Sequence, residues 1–335
     1  MTVNRRLVLA ARPHGAPRES DFRLVEEPAP SIGENEYLIR NHYVSLDPAI
    51  RETLDRDTFV PAIAIGDAVA ASTVGRIEAS NDPRMQVGTW VQGFNKIEDR
   101  SIGRPGDFNV PVDVTRVPSP SAYLSVAGGS GLTAWFAVES ELQPRAGQTL
   151  LVSGAAGGVG SIVGQLARMR GAHVVGIAGG PKKCARLTER YGYDAAVDYR
   201  GKDVTALSAA IAAACPSGVD LVLENVGGIC LDAAMLNLNN KALVVICGLV
   251  AEYNTEPYGT RQLTQLRVKS ATMRGYLLSS HVAKLGDGRR AMIDLVARDE
   301  IVYDEHVEQG IENVVPALMR LFNGTNDGKP VLKLI

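Results

Sequence analysis

Apolar and polar positions divide the chain into two textures. Residues 1 to about 122 carry short strand-like runs at 6–11, 22–26, 36–44, 73–78 and 89–94. Turn clusters such as Pro28-Ala29-Pro30, Asn81-Asp82-Pro83 and Arg104-Pro105-Gly106-Asp107 separate them. Many short strands with Pro/Gly punctuation predict a partly open β-barrel. His42 falls in one of these runs and reads as a half-buried strand histidine. A helical stretch from 127 to about 141 follows, and from 149 apolar runs alternate with helical segments. Strands are expected at 149–153, 173–178, 195–198, 220–225, 243–247 and 271–277, and helices at 161–170, 181–191, 204–214, 230–236 and 260–268. The strands are Val/Leu/Ile runs without alternation, as a sheet covered on both faces requires. The spacing predicts an α/β fold with a doubly wound parallel sheet. A helix at 281–298, a strand at 301–304, a helix at 312–322 and a strand at 331–334 return the chain to the first domain. The expected division is 1–122 plus 300–335 for the barrel and 123–299 for the sheet domain.

Composition narrows the partners. A net charge of −2 over 335 residues gives no electrostatic case for nucleic acid or an anionic membrane. Cys184, Cys215, Cys230 and Cys247 form no C-x-x-C pair and read as small buried hydrophobes in a reducing compartment. The N-terminal run after Arg5-Arg6 is short for a signal sequence and stops at Arg12-Pro13. The most apolar later run, 242–251, is too short to span a bilayer. A cytoplasmic protein is expected.

The chemistry concentrates at 149–183. Gly154, Gly157 and Gly160 are spaced G-x-x-G-x-x-G, with Gly158 added, between an expected strand and an expected helix. Such a loop turns tightly, lets backbone approach a pyrophosphate and presents a helix N-terminus to it. An NAD site would put Asp or Glu at the end of the second strand. The chain instead reads Ala178-Gly179-Gly180-Pro181-Lys182-Lys183, and its first acid after the loop is Glu189. Small residues followed by two lysines suit a 2′-phosphate, so NADP(H) is the expected cofactor.

A catalytic zinc needs Cys, His and carboxylate ligands. Residues 1–122 contain no cysteine and only His14 and His42, so no metal is expected. There is no G-x-S-x-G elbow. Hydride addition to a carbon–carbon double bond conjugated to a carbonyl stays accessible, because a hydrogen-bond donor can stabilise the enolate. Tyr253, beyond the fifth strand at the carboxyl edge of the sheet, is the candidate donor.

Several segments together resemble the zinc-free medium-chain dehydrogenase/reductases, in particular the NADPH-dependent alkenal/one reductases. They are Asn4-Arg5-Arg6, Ala11-Arg12-Pro13-His14-Gly15, Ser45-Leu46-Asp47-Pro48, Gly131-Leu132-Thr133-Ala134, Ala155 to Gly160, Glu224-Asn225-Val226-Gly227-Gly228, Cys247-Gly248-Leu249-Val250 with Tyr253-Asn254, and Asn326 with Gly328-Lys329. The resemblance implies a Rossmann domain beside a GroES-like barrel. It implies that Gly157, Gly158, Val159 and Gly160 cradle the pyrophosphate, and that Lys183 and Tyr199 hold the 2′-phosphate. It places Asn225, Cys247, Gly248, Leu249, Tyr253, Tyr276, Leu277, Leu278 and Asn326 along the cofactor. Tyr253 matches the tyrosine that bonds the substrate carbonyl or delivers a proton. Ala49-Ile50-Arg51 stands where the family has Tyr-Met-Arg, Phe59 stands in a departure from Ser-Tyr-x-Pro-Pro, and Trp135 replaces a common tyrosine. Arg51, Phe59 and Trp135 are therefore expected in a more hydrophobic substrate pocket.

The expected activity is NADPH-dependent reduction of enones and alkenals. A quinone reductase of the same superfamily and a non-catalytic NADPH-binding protein are the alternatives. The sixth strand, at the sheet edge, is expected to pair across a two-fold axis in a homodimer.

Overall fold

The computed structural model describes residues 2–58 and 60–335. The chain divides into two compact units, Met1–Gly129 with Asp304–Ile335, and Ser130–Tyr303. The boundaries expected from sequence fall a few residues earlier.

The first unit opens with β1 (Val3–Leu9) and β2 (Phe22–Pro28), an antiparallel ribbon. Then follow β3 (Tyr37–Ser45), the short helix α1 (Ile50–Thr53), β4 (Ala70–Ser80), β5 (Trp90–Lys96), β6 (Arg100–Gly103) and β7 (Val110–Pro111). The pattern missed β6 and β7, which are short. β6 contains Arg100 and Ser101, buried through hydrogen bonds rather than through apolar side chains. Alternation on β3 places Tyr37, Ile39 and Asn41 inward and leaves the residues between them less buried.

The second unit begins in α2 (Gly129–Phe136), which continues not as α-helix but as a π-helical turn, Ala137–Leu142. The strands β8 (Thr149–Val152), β9 (His173–Ala178), β10 (Ala195–Asp198), β11 (Val219–Glu224), β12 (Leu238–Ile246) and β13 (Thr272–Gly275) alternate with α3 (Gly160–Met169), α4 (Pro181–Glu189), α5 (Val204–Ala214), α6 (Gly228–Met235) and α7 (Thr264–Val268). They form a six-stranded sheet of order β10-β9-β8-β11-β12-β13 with parallel pairings. This is the doubly wound order, with its switch point between β8 and β11. All four β8 residues are buried. Leu151, Val175, Ile177, Val222 and Val244 pack with Leu207 and Ile211 of α5 and Leu231 of α6 in one core. The expected helix at 281–298 is a 3-10 segment, Leu278–Lys284, followed by α8 (Leu285–Ala297), with a kink at His281.

The chain then returns to the first unit through β14 (Glu305–Gln309), α9 (Val314–Phe322) and β15 (Lys329–Lys333). The strand expected at 301–304 is not formed, because the segment that pairs is the polar Glu305–Gln309, parallel to β15. β14, β15, β3, β4, β5 and β7 follow one another in the second sheet, and β6 pairs with β3. Its core gathers Leu7, Leu9, Val44, Leu46, Leu54, Val69, Leu318 and Leu332. The two-domain fold of parallel sheet and separate strand domain is the one the sequence predicts. Among the described residues no helix is long and apolar enough to cross a membrane. Cys215 and Cys230 are buried as expected, whereas Cys184 and Cys247 are only half-buried.

Candidate dinucleotide and reductase site

β8 ends in the loop 153–159 and α3 starts at Gly160. A Cβ on Gly160 would stand 2.6 Å from Ala155 Cα and 2.7 Å from the Gly154 carbonyl oxygen. Both obstacles are backbone, so the close turn requires glycine there. No side chain caps α3 at Val159. Ser161 N donates to the Gly157 carbonyl, and Ile162 N and Val163 N to the Val159 carbonyl, so what α3 offers an anion here is the positive end of its dipole.

A buried carboxyl ties this loop to the next one across the switch point. Glu224, fully buried at the end of β11, accepts through Oε1 from Ser153 Oγ, from Val226 N at 2.7 Å and from Gly227 N at 2.8 Å. Asn225 N donates to Ser153 Oγ at 2.8 Å, and Asn225 Nδ2 donates to the Ser153 carbonyl at 2.7 Å. Glu224 Oε2 is buried without a hydrogen-bond partner. Burial pushes the Glu224 carboxyl above its usual range against these hydrogen bonds. Asn225 therefore acts here as a brace between two loops, a role the sequence did not reveal.

At the second strand end, Gly179 and Gly180 follow β9, and Gly180 (φ +92°) precedes α4 with no side-chain cap. Lys183 lies in the first turn of α4, half-buried, and Lys182 is exposed. Tyr199 follows β10, 37% exposed, with its hydroxyl 3.0 Å from where a Gly179 Cβ would be. Sequence spacing also missed Asp198. It lies on the third strand, yet its Oδ1 accepts from Gly180 N at 2.8 Å and Arg200 N at 3.0 Å. Burial raises its pKa, but those N–H bonds and the charges of Lys202 and Arg200 outweigh it and hold the carboxyl below its usual range.

Cys247, Gly248 and Leu249 continue from β12, and the amides of Cys247 and Gly248 donate to the Glu224 carbonyl at 2.8 and 3.1 Å. Desolvation pushes the Cys247 thiol up to about 12, so it is no thiolate near neutral pH. Tyr253 closes the 3-10 turn Val250–Glu252, half-buried, with its hydroxyl 3.5 Å from where a Gly248 Cβ would be. Two carboxylates hold this segment. Glu252 accepts from Gly228 N and Tyr258 N, each at 3.2 Å. Asp232, buried on α6, accepts from Tyr258 Oη, Thr260 Oγ1 and Arg261 N. Tyr276 follows β13 and is 5% exposed, and its hydroxyl donates to the Thr133 carbonyl at 3.0 Å. Leu277 is exposed and Leu278 half-buried. Trp135 lies half-buried on α2.

Three further site expectations concern the first unit. Asn326 lies half-buried before β15, donating from Nδ2 to the Gly328 carbonyl at 2.7 Å. Arg51, expected in a substrate pocket, is 3% exposed, bonded to the Gly15 carbonyl and ion-paired with Asp55 at 2.7 Å. Phe59 lies outside the described residues. The Asp47 of the Ser-Leu-Asp-Pro motif accepts from Ser45 Oγ at 2.6 Å and from the buried Lys329 Nζ at 2.5 Å, fixing its loop to β15. Among the described residues no group of three or more His, Cys, Asp and Glu could hold a metal ion.

Fold and loop define a two-domain dehydrogenase/reductase with a dinucleotide-binding sheet. Family models agree: residues 5–110 match an N-terminal domain of oxidoreductase and 158–298 a zinc-binding dehydrogenase domain. The chain belongs to the medium-chain dehydrogenase/reductases, among the alkenal/one reductases. It is 38% identical to the NADPH-dependent curcumin reductase of Escherichia coli K12, over 99% of this chain and 97% of that one. It is 33% identical to the 2-alkenal reductase (NADP(+)-dependent) of Nicotiana tabacum, over 98% and 97%. The crystal structure of CurA in complex with NADPH from Vibrio vulnificus superposes with a TM-score of 0.92 at 34% identity, covering 99% of both chains.

Proposed function

We propose that the protein reduces the carbon–carbon double bond of α,β-unsaturated ketones and aldehydes with NADPH. The observation that carries this reading is full-length similarity to an NADPH-dependent curcumin reductase and a 2-alkenal reductase, on a chain whose nucleotide loop fits the cofactor. The side-chain-free turn at Gly160 and the uncapped α3 suit a pyrophosphate. Lys183 and Tyr199 are the residues we assign to the 2′-phosphate, beside Gly179.

NADPH, when bound, supplies the hydride for the β-carbon. The chain's part is to hold the carbonyl. Tyr253 donates a hydrogen bond to the carbonyl oxygen, and this bond strengthens as enolate charge develops. The proton for the α-carbon comes from Tyr253 or from water. Glu252, next to Tyr253 in the chain, ties this segment to Gly228 N and Tyr258 N, which lowers the cost of orienting that donor. The same reading assigns Asn225, Cys247 to Leu249, Tyr276 to Leu278 and Asn326 to the cofactor surroundings. It assigns Trp135 and Phe59 to substrate. Arg51, with its donors on Gly15 and Asp55, supports the first unit's helix α1 rather than contacting substrate directly.

Support for a homodimer comes from β13, which borders the parallel sheet with Thr272, Arg274 and Gly275 exposed. Exposed Val268 and Leu277 lie on either side of it in sequence. An open strand edge with apolar neighbours is a pairing surface. The test of activity is NADPH oxidation with a panel of enones, alkenals and quinones. Turnover of enones and alkenals is expected. Turnover of quinones alone, or of nothing while NADPH binds tightly, would overturn the assignment.

A further inference from the structure

We propose that Arg200 sets the preference for a 2′-phosphorylated dinucleotide, its guanidinium gripping the phosphate over the Gly179-Gly180 floor. This deepens the NADP(H) reading and rests on it. A Cβ on Gly180 would lie 3.0 Å from Arg200 Nη1, and one on Gly179 would lie 3.2 Å from Arg200 Nε. The arginine thus reaches from the end of the third strand to the end of the second, where a Rossmann sheet meets the adenosine ribose. Glycine at both positions lets the guanidinium lie against bare backbone.

The reach is built in. A single Asp198 oxygen accepts from both Gly180 N and Arg200 N, so floor and arm hang on one carboxylate. The Tyr199 hydroxyl meets the same floor from beside the arginine. The Lys202 amide closes a turn on the Tyr199 carbonyl at 3.2 Å, and its charge acts on Asp198. Arg200 and Lys202, whose charges act on Asp198, outnumber it, and Lys183 in the first turn of α4 adds a further positive charge just after Gly180. An acid at a strand end would ordinarily favour the 2′-hydroxyl of NAD. Here Asp198 bonds backbone N–H groups, and the cations around it reverse the local sign. A planar guanidinium offers paired donors to phosphate, and a neutral ribose hydroxyl cannot use them as well.

Full-length wild type, Arg200→Ala and Arg200→Lys would be titrated calorimetrically with 2′,5′-ADP and 5′-AMP, and fluorimetrically with NADPH and NADH. The first pair of ligands differs only in the 2′-phosphate. Loss of a charged hydrogen bond at an exposed site predicts about tenfold weaker 2′,5′-ADP and NADPH in Arg200→Ala. 5′-AMP and NADH should change by less than about twofold, and Arg200→Lys should recover part of the loss. Equal weakening of all four ligands would make Arg200 merely structural and overturn the proposal. So would an Arg200→Ala that keeps wild-type selectivity in an NADPH-selective protein. Wild type that binds NADPH no better than NADH would overturn the NADP(H) reading and this proposal together.

Discussion

Glu224→Ala removes the acceptor shared by Ser153 Oγ, Val226 N and Gly227 N, inside the joint between the two cofactor-side loops. Each buried donor left unmade costs roughly 1 kcal/mol or more. Three such donors, plus the emptied space, sum to about 3–5 kcal/mol. Glu224→Gln is a different perturbation. It keeps an acceptor where Oε1 sits and resembles the neutral acid that burial favours. Its cost should be smaller than that of Ala, because the three donors to Oε1 keep their acceptor and only the amide N–H groups at the unpartnered Oε2 position go unmet. The pH dependence separates the two explanations. A carboxyl whose folded pKa is raised binds more protons folded than unfolded, so stability falls as pH rises from the unfolded value of 4.5 through the folded one. Glu224→Gln lacks this loss, so it should gain on wild type over that window and then hold a constant difference. Urea unfolding from pH 4 to 8 on wild type and both variants measures this. Equal destabilisation by Gln and Ala, with no drift against wild type as pH rises, would refute the argument that burial raises the pKa of this hydrogen-bond hub.

Three further outcomes follow from the site and the fold. Tyr253→Phe should lower kcat for enones by about 100- to 1000-fold, as loss of an oxyanion donor does, with little change in NADPH affinity; an unchanged kcat removes Tyr253 from the mechanism. His42, tilted against Trp90 with ring centroids 4.5 Å apart, has its pKa lowered to about 4 by burial and by Arg40, Arg76 and Lys333. Its folded pKa lies below the unfolded 6.5, so wild type should lose stability as pH falls from 6.5 to 4; the full shift corresponds to roughly 3 kcal/mol, and solvent screening at this half-open ring leaves about half. Differential scanning calorimetry of His42→Gln should lack that acid loss, and an identical acid profile would contradict the assignment. Sedimentation at micromolar concentration should give a dimer, and a monomer there would contradict pairing through β13.

Local pattern reached the parallel sheet most completely. β9, β10 and α5 lie where the apolar runs put them, because strands covered on both faces must be apolar throughout and α5 sets Leu207 and Ile211 into the same core. It failed where pairing rather than apolarity defines a strand. β14 is Glu305–Gln309, a polar segment aligned on β15, while the apolar-looking Ile301–Tyr303 beside it pairs with nothing as strand. β12 begins at Leu238, earlier than its apolar run, because Asn239, Asn240 and Lys241 continue the strand across an irregular register. The site shows the same limit. The glycine spacing and Lys183 were legible as a local string. Glu224 gripping Ser153, and Arg200 reaching Gly180, were not, since each joins segments that only the strand order brings side by side.

The proposed reaction is hydride addition to the β-carbon of a conjugated carbonyl compound. Turnover of an α,β-unsaturated ketone with NADPH deuterated at the transferred C4 position tests it most directly, with the product read by NMR. The expected product is the saturated ketone, with deuterium on the β-carbon and the carbonyl intact. Deuterium on the carbonyl carbon of an allylic alcohol, or no product from any enone, would contradict it.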